Sequence, residues 1–249
     1  MPSSSQPADR NIKGEHHLIF LPGLHGTAEL FEDLIDHLNL LDLNFRSTLI
    51  SYPTDLDQSY QALFRWLCSH IALDQQNSDA KTVIIAESFS TPLALKLADK
   101  FPQQISAVVI AGGFCASPAN PGFAILPLRP LFMLSPPRSV VRQLLTGPKS
   151  SSKLVDKVRS VAKQVPSNLL TQRIRSVLTL EEEQTPILPN TPVLLLQAQH
   201  DAIIPWDTQN QLEQHLPHAQ SHWLDSPHLL LQVHPKTCAS HIVEFLGRI

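Results

Sequence analysis

Residues 82–98 read TVIIAESFSTPLALKLA. The first five, Thr82–Ala86, are β-branched or small, as in a strand buried on both faces. From Thr91 to Lys100 the apolar residues recur at helical spacing. Ser88 therefore stands where a strand turns sharply into a helix. Such a turn lifts a hydroxyl above the sheet edge, within reach of a base. Strand and helix backbones approach closely there, so the residues two before and two after the serine must be small. Ala86 and Ser90 meet that need where glycines are commoner. A serine at this place also serves as a helix N-cap, accepting from first-turn N–H groups. The flanking strand and helix favour the nucleophile.

The same alternation extends in both directions. His17–Leu21 (HLIFL), Phe45–Tyr52, Ile105–Ala111 (ISAVVIA), Pro192–Ala198 (PVLLLQA) and Gln220–Leu224 read as further strands. Helical stripes fall at Leu30, Leu34, Ile35 and Leu38, and at Tyr60, Leu63, Phe64, Leu67 and Ile71. Two more cover Thr208–His215 and Pro235–Leu246. This pattern predicts an α/β fold, a mostly parallel central sheet with helices on both faces. Residues 15–114 and 186–249 supply that core. Residues 115–185 have no strand character. They open on a proline-rich stretch and continue with helix-compatible runs at Ser139–Leu145 and Ser152–Gln164. They are expected to form an inserted helical cap (lid) over the C-terminal edge of the sheet, where α/β proteins bind ligands.

The chain has 249 residues, enough for one α/β domain with an insertion. Hydrophobic residues at 43% against 16% charged supply a packed core and exclude disorder by composition. A net charge of -3 excludes a uniformly basic nucleic-acid binder. Cys68, Cys115 and Cys238 are far apart and predict neither a disulfide framework nor a zinc cluster. Residues 1–15 are polar and lack the apolar run of a signal peptide, and no long apolar run follows. The expectation is a soluble cytoplasmic protein with residues 1–14 as a mobile tail.

With a serine at such a turn, an acid and then a histidine follow it in chain order. The loop after the fourth strand, AGGFCAS (residues 111–117), has no acid; QHDAIIP (199–205), after the fifth, has Asp201. Aspartate is also common in plain surface turns. Asp207 is a second candidate that better suits the cap of the following helix. Among twelve histidines, His228 alone lies in the loop after the last strand. His222 falls inside a strand, His234 in a helical pattern, and His200 in a loop beside the pocket. Backbone N–H groups of Phe89 and of Leu24, in LPGLHGT (21–27), are the candidate oxyanion donors. Gly23 and Gly26 let that loop turn in close to a substrate; the alternative is a tight turn with no ligand. Glu87 reads as a hydrogen-bonded structural residue in preference to a pocket acid.

Taken together, LIFLPGLHGTAELF (18–31), VIIAESFSTPLALKLA (83–98), PVLLLQAQHDAIIP (192–205) and SPHLLLQ (226–232) resemble the α/β-hydrolase superfamily. Size and short cap are similar to those of small carboxylesterases, including the pimeloyl-acyl-carrier-protein methyl ester esterases of biotin synthesis. The departures are Pro22-Gly23 where His-Gly is commoner, and Ala86 and Ser90. The resemblance implies a serine carboxylesterase using Ser88, His228 and Asp201, with Leu24 and Phe89 as oxyanion hole and no metal or organic cofactor. A thioesterase or lipase-like hydrolase uses the same residues. A catalytically silent binding protein is the third reading.

Charge is unevenly placed. Between Pro118 and Leu180 ten bases accompany one acid, Asp156, while the rest of the chain has nine bases and twenty-one acids. A single-sign field beside a site steers anions toward it. Arg138 and Arg142 are four apart and share a helix face, as do Lys149, Lys153 and Lys157; Arg159 and Lys163 continue the run. Resemblance to the carrier-dependent esterases implies that Arg138, Arg142, Lys153, Lys157 and Arg159 dock an acidic acyl carrier protein. A membrane surface and a small anionic ester are the other anions considered; nucleic acid and stable membrane insertion are not expected. Phe123, Ile125, Leu126, Leu128, Leu131, Phe132, Met133 and Leu134 read either as an acyl channel or as the cap underside.

Overall fold

The computed structural model describes residues 15–71, 80–119, 122–123 and 136–249. The tail expected over residues 1–14 and the channel residues between 125 and 134 lie outside them. Six strands form one sheet: β1 (His16–Leu21), β2 (Phe45–Leu49), β3 (Lys81–Glu87), β4 (Ile105–Ala111), β5 (Val193–Ala198) and β6 (Gln220–Leu224). Their spatial order is β2-β1-β3-β4-β5-β6, and every neighbouring pair is parallel. The helices are α1 (Glu32–Leu40), α2 (Tyr60–His70), α3 (Thr91–Lys100), α4 (Arg138–Val141), α5 (Ser152–Gln164), α6 (Ser167–Leu178), α7 (Trp206–His215), α8 (Leu230–Val233) and α9 (Pro235–Leu246).

Successive strand residues point to opposite faces, and here both faces are covered. Leu18, Phe20, Val83, Ile85, Val109, Leu194 and Leu196 pack with Leu34 and Leu38 of α1 and Ile242 and Leu246 of α9. Ile19, Leu21, Ile84, Ala86, Ile110 and Leu195 pack with Leu63 and Leu67 of α2, Leu93 and Leu97 of α3 and Leu212 of α7. Two-sided burial is why β1, β3, β4 and β5 are nearly continuous apolar runs. Each buried Leu, Ile, Val or Phe contributes about 1.5–3 kcal/mol. The edge strands β2 (FRSTL) and β6 (QSHWL) are half-exposed and more polar, which discourages pairing with another chain.

The strand expected over Phe45–Tyr52 stops at Leu49. Beyond it the backbone leaves the sheet to bond the loop after β1, with Tyr52 N donating to Gly26 O at 2.8 Å. Between β4 and β5 the helix expected over Ser139–Leu145 is a single turn, α4, continued by a π-helical turn at Arg142–Thr146. Val141, Val155, Val158 and Val161 pack on Leu30 and Leu229, which seats α4 and α5 over the C-terminal end of the sheet. Sequence reading did not single out α6. Its buried face holds Thr171 and Arg173 as well as Leu169 and Leu178, so its apolar period is broken. Among the described residues no helix is long and apolar enough to cross a membrane.

Strand order reverses direction between β1 and β3. The crevice outside the carboxyl ends of those two strands is the topological switch point, where open α/β sheets bind ligands.

Candidate active site

At that crevice β3 ends on Glu87, and Ser88 adopts φ +45 in a short turn, Ser88–Ser90, that runs into α3. Left-handed backbone at a non-glycine residue costs about 1–3 kcal/mol and persists only where its surroundings fix it. They do so here. Thr91 Oγ1 donates to Ser88 O at 2.8 Å. Ser90 Oγ donates to Pro22 O and pairs with the Tyr52 hydroxyl. Ser90 thus does more than stay small: its buried hydroxyl ties the serine turn to the loop after β1, which a glycine would not do.

His228 follows β6 by four residues, and its Nε2 lies 3.1 Å from Ser88 Oγ. Its Nδ1 donates to Asp201 Oδ2 at 2.7 Å. The other carboxylate oxygen accepts from Ile203 N and Ile204 N, both at 2.8 Å, so a tight turn orients the acid. Leu229 N donates to Leu145 O at 3.0 Å, which anchors the histidine loop to the π-helical turn above it. Burial alone would lower the His228 pKa; the Asp201 charge and hydrogen bond and the Glu87 charge outweigh it and raise the pKa above 6.5. The three residues proposed from chain order are therefore brought together in one hydrogen-bonded series.

Opposite Ser88 lies the loop carrying Leu24. Gly23 N and His25 Nε2 donate to Glu87 Oε2 at 3.3 and 3.4 Å. Burial opposes ionisation of Glu87, yet the His25 and Gln232 side chains and the nearby His228 hold its pKa below the usual carboxylate value. Glu87 fastens the loop to the end of β3 and puts a negative charge near the imidazole.

A second fastener escaped the sequence reading. Arg173, on α6, is 1% exposed. Its Nε and Nη2 donate to Gln58 Oε1 at 2.9 and 2.7 Å, and Nη1 donates to Leu24 O at 2.9 Å. The guanidinium lies 5.6 Å over the Tyr52 ring. Burial pushes its pKa down to about 10, partly offset by Tyr52, so it stays charged at neutral pH. Gly26 has φ +72, and a Cβ there would stand 2.1 Å from Arg173 Nη1. Only glycine fits beneath the guanidinium.

The remaining candidates lie elsewhere. His200 Nε2 faces Asp225 Oδ1 at 2.8 Å on the surface, not the crevice. Asp207 sits in the first turn of α7, but the N-cap is Pro205, with no side-chain cap bond. The basic field is thinner than counted. Arg138 Nε and Nη2 donate to Asp156 at 2.8 and 2.7 Å, and Arg159 shares that acid. Lys157 pairs with Glu32 at 2.7 Å. Arg142 donates to the Pro148 and Ser150 carbonyls and to Ser152 Oγ, pinning the turn before α5. Lys149, Lys153 and Lys163 remain exposed.

No protein-family model and no curated protein matches the sequence. Solved structures do match. An esterase from Exiguobacterium antarcticum superposes with a TM-score of 0.72 at 12% identity, over 94% of this chain and 92% of that one. A lipase-esterase related protein from Clostridium acetobutylicum gives 0.73 at 15% identity, over 94% and 96%. The fold is the α/β-hydrolase fold. A 2-hydroxy-6-oxo-6-phenylhexa-2,4-dienoate hydrolase from Rhodococcus sp. strain RHA1 shares it, with a TM-score of 0.68 at 18% identity over 93% and 90%. In this chain the turn after β3 and the loops after β5 and β6 bring Ser88, Asp201 and His228 together in one crevice.

Proposed function

We propose that the protein is a serine carboxylesterase. The observation that carries this reading is the series Asp201–His228–Ser88, with contacts of 2.7 and 3.1 Å at the switch point. The carboxylate fixes the proton on Nδ1, so the Nε2 lone pair faces the serine hydroxyl. His228 Nε2 takes the hydroxyl proton as Ser88 Oγ attacks an ester carbonyl. The N–H groups of Leu24 and Phe89 receive the oxyanion; losing one such donor costs roughly 3–4 kcal/mol of transition-state stabilisation. His228 then gives the proton to the departing alcohol, and water repeats the sequence to release the acid. The esterases among the structural neighbours support the same chemistry. The test is hydrolysis of p-nitrophenyl esters beside acyl thioesters of equal chain length. Faster ester turnover supports the reading, faster thioester turnover favours a thioesterase, and no turnover of either overturns it.

The imidazole must be neutral to act as base, so kcat/KM rises with pH through the His228 pKa. Glu87 is one of the charges that raise that pKa. Glu87→Gln keeps acceptors for Gly23 and His25 but removes the charge. Its acidic limb is expected to move to lower pH in a kcat/KM profile, and an unmoved limb would mean that the Glu87 charge does not reach the base.

Within this reading the natural substrate is a carrier-bound acyl ester, by resemblance the pimeloyl-carrier-protein methyl ester of biotin synthesis. Docking of the acidic carrier falls to the exposed side of α4 and α5. Lys153 is exposed there, Arg138 is exposed but paired with Asp156, and Lys157, Arg159 and Arg142 are partly engaged. Arg138→Glu with Lys153→Glu is expected to lower kcat/KM for a carrier-bound ester and to spare a small soluble ester. Equal effects on both would remove the docking role.

A further inference from the structure

Away from the serine crevice, three segments distant in the chain bring unlike donor atoms together. Cys115 lies just beyond β4 and is fully buried. Glu182 lies in the short turn Glu182–Gln184 that leads toward β5. His215 closes α7 and is 8% exposed. Cys115 Sγ, a Glu182 carboxylate oxygen and a His215 ring nitrogen all lie within 4.8 Å of one another. We infer that Cys115, Glu182 and His215 form a site for a zinc-class divalent ion that clamps the exit of β4, the approach to β5 and the end of α7.

The surrounding bonds are what carry the inference, because each donor is already aimed. His215 Nε2 lies 2.9 Å from the Thr185 carbonyl, which only accepts, so Nε2 carries a hydrogen and Nδ1 is the ligating nitrogen. That Nδ1 points at Glu182 Oε1, 3.1 Å away. The other Glu182 oxygen accepts from Gln211 Nε2 at 2.6 Å. Thr185 Oγ1 in turn donates to Cys115 O at 2.8 Å, fixing the cysteine backbone. A metal-bound histidine usually donates its second ring N–H to a carbonyl or carboxylate, and a metal-bound carboxylate is itself hydrogen-bonded. Both outer partners are in place here.

Sulfur, imidazole and carboxylate donors together suit zinc-class ions and not magnesium or calcium. Around a tetrahedral zinc, neighbouring ligand atoms lie roughly 3.3–3.5 Å apart. The His215–Glu182 contact of 3.1 Å is close to that already, and the Cys115 sulfur lies within 4.8 Å of both partners. Glu182 is 40% exposed, which leaves a solvent-facing fourth position for water. Binding releases two protons, one from the Cys115 thiol and one shared between His215 Nδ1 and Glu182 Oε1. The ion takes their place, and no oxidant or reductant is involved.

The probe is cobalt(II), titrated into untagged protein first stripped with a chelator. Wild type is expected to bind a single ion per chain, to show a thiolate-to-cobalt charge-transfer band in the near ultraviolet, and to melt at a higher temperature. Cys115→Ser abolishes the band. Glu182→Gln, at a half-exposed position that tolerates change, also weakens binding, and Gln211→Ala weakens it by roughly 10–100-fold. The last two variants decide the matter if Cys115→Ser does not fold. Hydrolysis of a small ester is read in parallel and stays unchanged in Glu182→Gln. Absence of the band in wild type, or its survival in Cys115→Ser and Glu182→Gln, would overturn the site and leave a plain hydrogen-bonded cluster.

Discussion

Replacing Ser88 with alanine is expected to lower ester turnover by about a million-fold while the protein stays folded, because residues of a nucleophile–base–acid unit fail together. Ser88 Oγ is the atom facing His228 Nε2. The substitution removes one hydroxyl and leaves the Asp201–His228 contact standing. Turnover measured with a p-nitrophenyl ester, beside a urea melt of the same sample, separates the chemical effect from unfolding. A variant that retains a tenth of wild-type activity would mean that another group attacks the ester.

The second large effect is expected from Arg173→Ala. The guanidinium holds three hydrogen bonds inside the protein; its loss strands the fully buried Gln58 Oε1 and leaves the half-buried Leu24 O without its donor. A buried acceptor left without its donor costs about 1–3 kcal/mol, so Gln58 alone predicts a loss of that size. Urea denaturation measures it. Catalysis falls too, because Leu24 O is tied to Arg173 while the N–H of the same residue is the proposed oxyanion donor. Arg173→Lys keeps the charge but not the planar fork that grips Gln58 twice, and so restores little. An unchanged melt together with an unchanged kcat/KM would show that Arg173 holds nothing of consequence.

These two residues also mark what the sequence discloses and what it hides. Ser88 was legible because strand, turn and helix are local, and Asp201 and His228 because chain order and strand count place them. The core strands were legible because burial on both faces leaves almost no polar residue in them. Arg173 was not, since one arginine in a basic run looks like surface charge. Its burial depends on Gln58 and Leu24, 115 and 149 residues away. The same distance hid α6, whose inner face is polar where it meets Gln58, and the pairing of Lys157 with Glu32. The boundary at Tyr52 was misread for a related reason: its apolar character serves the Phe89 and Ser90 contacts beneath the loop, not a strand.

The central claim is tested most directly by a fluorophosphonate probe, which forms an adduct only with an activated serine. Peptide mapping by mass spectrometry after labelling is expected to find a single adduct, on Ser88, that disappears in His228→Gln although the serine remains. No adduct on the folded wild-type protein, or labelling of Ser88 that persists undiminished in His228→Gln, would contradict it.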